Sequence, residues 1–233
     1  MKISKIDSRD VAGSAFKLFW FVVILNVTFQ LVSDVTAAKV VQLGPAVVSV
    51  TVLYFPITYL ISDVLTEVYG YERARRALWI TMAASVGAGL IYQLVAYLPP
   101  GPGFELDQSY RDVFGIVPRV LVAGWIAVIS GDLSNNFIMS RMKVRTKGHF
   151  LWMRTISSTI VGQGVNTVVF YVGALYGILP TEILMQAILW GWWIKVGVEV
   201  LLTPVTYLVI ARLKKVEDLD VYDYHANYNP LKI

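Results

Sequence analysis

At 233 residues, 56% hydrophobic, 15% charged and with a mean hydropathy of +0.61, the chain departs from the composition of soluble domains and reads as a polytopic membrane protein. Its net charge of +4 comes with no basic stripe interleaved with aromatics outside the apolar stretches, so no nucleic-acid partner is expected. The lack of cysteine excludes disulfides and thiol chemistry. Neither His149 nor His225 falls in an apolar stretch, so no metal set and no cofactor is expected.

The fold class predicted is an all-α membrane protein with six transmembrane helices in one domain spanning 1–233. In chain order the spans are 14–34, 45–66, 74–98, 117–141, 151–178 and 183–211, followed by a tail over 212–233. The segment Met1 to Asp10 carries no short apolar region with a small-residue cleavage site, so the first helix is its own insertion signal. Pro56 and Pro204 are expected to kink spans two and six beside a cavity. The stretch from Pro99 to Pro118, with Glu105, Asp107 and Asp112, reads as the sizeable external loop.

Even span number puts both termini on one side, and the basic residues choose it. The N-terminus, the 67–76 turn, the 141–154 connection and the tail hold 16 of the 20 lysines and arginines, which makes these segments cytoplasmic and the location the cell (inner) membrane. Lys39, Arg111 and Arg119 remain on the other side, and Lys195 lies inside span six.

Polar groups at bilayer depth face a bundle interior or an aqueous path, so they are the candidates for function. On span two, Asp63 and Glu67 are i and i+4 on one face, beside Ser62 and Thr66. Two readings stay open: the pair meets Arg73, Arg75 or Arg76 and fixes a turn at Gly70, or Glu67 serves substrate or gating. Span four sets Asp132 and Asn136 one turn apart, with Asn135 nearby. Span five carries Gln163 and Asn166 or Thr167 on one face, with Gly162 and Gly164 admitting close contact, and Arg154 reads as an anchor ahead of it. On span six, Lys195 and Glu199 are again i and i+4, either a neutralised ion pair or a pair that a ligand or proton switches. Trp190, Trp192 and Trp193 read as packing or interfacial belt.

The segment Tyr59-Leu-Ile-Ser-Asp-Val-Leu-Thr-Glu-Val-Tyr-Gly-Tyr-Glu-Arg-Ala-Arg-Arg76 resembles the signature of the queuosine-precursor transporters of the VUT (vitamin uptake transporter) family. The resemblance continues through Ala37-Ala-Lys39, Thr146-Lys-Gly148, Leu151-Trp-Met-Arg-Thr155, Ser158-Thr-Ile-Val-Gly-Gln163, Pro204-Val-Thr-Tyr207 and Val221-Tyr-Asp-Tyr224, and so covers nearly the whole chain. Three positions depart from the family pattern: Asp132 replaces a usual Glu, Asn166 a common Asp and Asp34 a common Asn. These bear on the polar contacts and on any proton coupling at position 166.

The resemblance implies import of 7-cyano-7-deazaguanine or 7-aminomethyl-7-deazaguanine, with a small deazapurine and the lipid bilayer as partners and homo-oligomerisation left open. A carboxylate can accept the N–H and amino groups on one edge of such a base. Glu67, Asp132 and Glu199 are the candidates, with Asn136, Gln163, Asn166 and Lys195 completing the substrate-binding set and Asp63, Arg73, Arg75, Arg76, Pro56 and Pro204 assigned gating or structural roles. Alternating access is the expected mechanism, driven by protons or by downstream consumption, since no Walker A motif is present. The alternatives are the substrate-binding component of an energy-coupling-factor importer and a non-transporting scaffold. An intramembrane hydrolase would have only a carboxylate dyad to work with, so no enzyme and no catalytic residue is expected.

Overall fold

The computed structural model describes residues 4–7, 16–36, 39–43, 46–115, 118–177 and 180–231. Lys2, Arg9, Ala37, Ala38 and the span boundaries expected at 14, 45, 117 and 178 lie outside the described residues. The elements are β1 (Ser4–Asp7), α1 (Phe19–Thr36), β2 (Val40–Leu43), β3 (Ala46–Ser49), a 3-10 turn (Val50–Leu53), α2 (Phe55–Tyr69), α3 (Tyr71–Tyr97), α4 (Asp107–Phe114), α5 (Pro118–Arg145), α6 (Leu151–Leu175), α7 (Thr181–Glu217) and β4 (Leu219–Tyr222).

Helices α1, α3, α5, α6 and α7 are long and apolar enough to cross a bilayer, and the chain is a multi-pass membrane protein. Helices α1, α3, α5, α6 and α7 overlap the stretches read as spans one, three, four, five and six, and α7 runs on to Glu217. The second is different. Residues 46–53 form strand and 3-10 turn rather than helix, and α2 begins only at Phe55. Pro56 sits in the first turn of α2, where its missing N–H costs no helical bond, so it starts this helix and does not kink it. Pro204 does lie inside α7.

At about 1.5 Å per residue α2 is roughly 22 Å long, short of the hydrocarbon thickness. It compensates by never meeting lipid: every residue of α2 except Ile57 is buried. The β2–β3 hairpin, paired antiparallel from Val40↔Ser49 to Leu43↔Ala46, leads into it. Val41 and Val52 pack with Ile194, which lies about 20 Å along α7 from its start, so non-helical backbone sits at membrane depth. Such backbone needs its polar groups answered within the protein, and the hairpin answers its own through ladder bonds.

Both chain ends meet at one end of the bundle. Strand β1 pairs with β4 in parallel, Ser4↔Leu219 to Asp7↔Tyr222. Glu217 accepts the backbone N–H groups of Lys17 and Leu18 at 2.9 and 2.8 Å and the Tyr69 hydroxyl at 3.0 Å, so one carboxylate caps α1 and ties it to α2 and α7. The α2–α3 turn lies at the same end. Its Gly70 has φ 86° and ψ 163°, a conformation open essentially to glycine alone, and an added Cβ would stand 2.9 Å from Val221. Asp223 accepts the N–H of Tyr71 at 3.0 Å, so the tail caps α3.

Gly70→Ala is therefore expected to destabilise the protein by about 1–3 kcal/mol, read as a lower midpoint in thermal unfolding of the detergent-purified chain. An unchanged midpoint would mean that the turn is not held in this geometry.

Candidate functional site

Helices α2, α5, α6 and α7 converge on a core that is polar in its middle. Gly131 and Gly162 let α5 and α6 touch: a Cβ on Gly162 would stand 2.8 Å from the Asn135 Cβ, and one on Gly131 would collide with the Tyr59 hydroxyl. Around this crossing lie Asp63, Asn135, Asn136, Gln163, Thr167 and Glu199, each with at most a trace of exposed surface, and Asp132 and Asn166 are buried beside them.

Their hydrogen bonding is uneven. Asn135 donates to Asp63 Oδ1 at 2.6 Å, and Asn136 Oδ1 accepts the hydroxyls of Ser62 and Thr66 at 2.8 and 2.9 Å. Among the described residues, Asp63 Oδ2, both carboxyl oxygens of Glu199 and both amide atoms of Gln163 have no hydrogen-bond partner. Bare acceptors at this depth are costly unless a donor reaches them, which marks the cluster as something other than interhelical glue.

The ion pair expected between Lys195 and Glu199 is not made. Lys195 Nζ instead donates to Asn166 Oδ1 at 3.1 Å and lies 4.9 Å from the centroid of the Phe55 ring. Both Lys195 and Asn166 line a cavity of about 90 Å³ whose other walls include Asp34 and Gln30 of α1 and the rings of Phe55 and Phe170. Of the residues expected to bind substrate, these two reach the cavity; Asp132, Asn136, Gln163 and Glu199 belong to the buried cluster. Sequence reasoning passed over Gln30, Phe55 and Phe170, and noted Asp34 only as a departure from the family pattern, outside the substrate-binding set. Trp190 and Trp193 are exposed on the outer face of α7, and Trp192 Nε1 donates to the Ile160 carbonyl at 3.0 Å.

Glu67 sits apart from that cavity, toward the end where the termini meet. Its carboxylate lies 2.8 Å from Arg154 Nη2 of α6, 2.7 Å from Lys214 Nζ of α7 and 3.5 Å from Lys143 Nζ of α5. Lys143 also donates to the carbonyls of Glu67 and Val221 and to Asp220, at 2.6, 2.7 and 2.7 Å, and Lys214 reaches Asp220 at 2.7 Å. Burial pushes Asp220 up, but the two ammonium groups outweigh it and hold this carboxyl below its ordinary range. Its contribution to stability is thus present at neutral pH and lost as pH falls through the depressed value.

The arginines after Gly70 play a different part from the one expected. Arg75 donates to the carbonyls of Asn227 and Asn229 at 2.5 and 2.7 Å, Arg73 to the Tyr69 carbonyl at 3.2 Å, and Arg76 is exposed. They hold the tail and the turn, while the acids of α2 find their partners on α5, α6 and α7 because those helices enclose α2.

The fold and this polar core define a helical, multi-pass membrane protein with a polar interior. Residues 49–209 match the family model described as "Putative vitamin uptake transporter", and the chain belongs to that family. It is a membrane transporter and not an enzyme. A Bacillus subtilis (strain 168) protein named "Probable queuosine precursor transporter" is 24% identical over 176 residues, covering 75% of this chain and 77% of that protein. A Haemophilus influenzae protein of the same name is 26% identical over 125 residues, covering 53% of this chain and 50% of that one. No solved structure matches.

Removing the Glu67 carboxylate leaves buried Arg154 without an acid and leaves Lys143 and Lys214 to share Asp220 alone, so Glu67→Gln is expected to cost about 3–5 kcal/mol. Adding Lys143→Met should return part of that loss, because the charges then balance more closely. Thermal unfolding of the two single variants and the double variant checks this coupling, and strictly additive losses would count against it.

Proposed function

We propose that this chain imports queuosine precursors, 7-cyano-7-deazaguanine, 7-aminomethyl-7-deazaguanine or both, by alternating access across the cell membrane. The observation that carries the reading is the pairing of an aromatic-walled cavity with buried acceptors that lack donors. A deazaguanine brings what such a place needs: a flat ring for Phe55 and Phe170, and N–H donors for carboxylates and amides. The names of both relatives point to the same substrate class.

The termini and the basic segments lie at one end, and by the charge rule that end faces the cytoplasm. The cavity then belongs to the outward half, and the ions around Glu67 bar the inward exit. Asn166 and Lys195 meet substrate first, Asp132, Asn136, Gln163 and Glu199 line the path beyond, and Asp63 with Asn135 fixes the wall between. Glu67 acts as a gate residue, not as a ligand. Release to the cytoplasm requires the Glu67 contacts to Lys143, Arg154 and Lys214 to part, and Pro204 leaves α7 one backbone bond short of resisting that motion.

Cells unable to make the precursor, expressing this chain, should incorporate supplied 7-cyano-7-deazaguanine as queuosine in tRNA. Glu199→Gln and Asp132→Asn should lower uptake about tenfold or more at equal membrane abundance, and Ser62→Ala much less. No uptake by the correctly inserted parent would overturn the assignment; full uptake in both acid variants would remove the buried cluster from the path.

A further inference from the structure

We propose that Asp34 and Lys195 together read the guanine-type edge of the substrate, Asp34 accepting the ring N–H and the exocyclic amine and Lys195 donating to the neighbouring carbonyl oxygen. This rests on the deazaguanine reading above and assigns the base-recognising carboxylate to a residue outside the set expected from sequence.

Among the described residues that line the cavity, Asp34 is the one carboxylate and Lys195 the one cation, and they come from different walls, α1 and α7. The acids of the buried cluster are less suited to first contact. Asp63 and Glu199 are fully buried and neither lines the cavity.

Asp34 is built as a recognition group. Gln30 Nε2 donates to its Oδ1 at 2.8 Å, and the Ser85 hydroxyl donates to its Oδ2. Ser85 is itself fixed by Trp125 Nε1 at 2.9 Å. Each oxygen thus has one donor that sets its direction. A carboxylate offers about four acceptor sites, so each oxygen keeps one for a ligand. Two parallel acceptors fit the amide N–H and amine of a guanine-type base, which present two donors side by side.

Lys195 supplies the complementary group. Asn166 takes one of its three N–H donors and the Phe55 ring lies beneath its charge, leaving donors for a carbonyl oxygen. Carbonyl and N–H are adjacent on the guanine edge, so an acid and an ammonium from two walls can be satisfied by one planar ligand whose faces meet Phe55 and Phe170. An adenine-type edge offers no ring N–H to the acid and no carbonyl to the lysine, and it is rejected by unpaired buried groups, the stronger of the two routes to discrimination.

The test is equilibrium binding to the purified full chain in lipid nanodiscs, using 7-cyano-7-deazaguanine and its analogue lacking the 2-amino group. The parent should prefer the amino-bearing ligand about tenfold or more, the size expected for a hydrogen bond to a charged group. Asp34→Ala should abolish that preference, and Lys195→Met should weaken both ligands by a similar factor, since both keep the carbonyl. If Asp34→Ala fails to fold, Asp34→Asn keeps the size and one acceptor and should reduce the preference at least threefold, about half a kcal/mol or more. A parent that binds while both Asp34 variants keep its full preference would overturn the edge assignment and leave the transport reading standing. A parent that binds neither ligand would overturn the transport reading itself, and the edge assignment with it.

Discussion

The structure depends on one buried carboxylate. Glu67 draws an arginine from α6 and lysines from α5 and α7 onto the side of α2, and Asp220 joins the same lysines from the tail. A helix of fifteen residues with almost no exposed surface has no lipid contact to orient it, so its axial position must be set by specific partners. Apolar packing of Val64, Leu65 and Val68 against Phe19, Ala77 and Ile210 could slide by a turn with little loss; three cations on one acid could not. Buried ion pairs often break even against apolar packing in stability, and their use here is that of fixing register. The Arg154 contact divides its role in the same way: at 2.8 Å its angle falls short of a hydrogen bond, and another nitrogen of the guanidinium donates to the His149 carbonyl at 2.6 Å and to Thr146 at 3.2 Å.

That concentration of charge makes the two halves of the bundle unlike. Toward the termini, acids and bases meet, carbonyls are answered by lysines, and Glu217 and Asp223 close the ends of α1 and α3. Past the Gly131–Gly162 crossing, acceptors outnumber donors, and Lys195 is taken by Asn166 instead of Glu199. A soluble protein could hydrate such a deficit, but a bilayer interior supplies no water, so the unanswered groups are costly where they stand. The two halves thus differ in how fully the protein itself answers their polar groups.

Much of this was legible in the sequence, and the failures share a cause. Apolar length located five long helices, because hydrophobic thickness acts on each segment separately. The second span misled because Ala46 to Leu53 is as apolar as a helix yet rich in β-branched residues, and hydropathy does not distinguish a buried hairpin from a spanning helix. The i, i+4 spacing correctly put Asp63 and Glu67 on one side of α2, but spacing could not say which helices faced them. The nearest arginines in sequence went to the tail, and the partners came from 76, 87 and 147 residues further on. Lys143 and Lys214 were counted as topological charges, which hid a second use. Lys195 and Glu199 could pair along one helix, but Lys195 meets Asn166 across from it, a contact that spacing along α7 alone does not show.

Helix α7 connects the two halves and carries the consequence furthest. Lys195 faces the cavity, Glu199 stands one turn on without donors, Pro204 interrupts the backbone ladder, and Lys214 ends in the ion cluster. Lys195 and Lys214 are 19 residues apart, about 28 Å along an α-helix. A straight helix of that length would move both lysines together. A proline without an N–H near its middle leaves one backbone bond unmade between them, so the half bearing Lys195 can shift without drawing Lys214 off Glu67. Pro56 and Pro204 were both expected to kink a span, but only Pro204 lies inside a helix beyond its first turn, so the missing backbone bond falls between the cavity and the ion cluster.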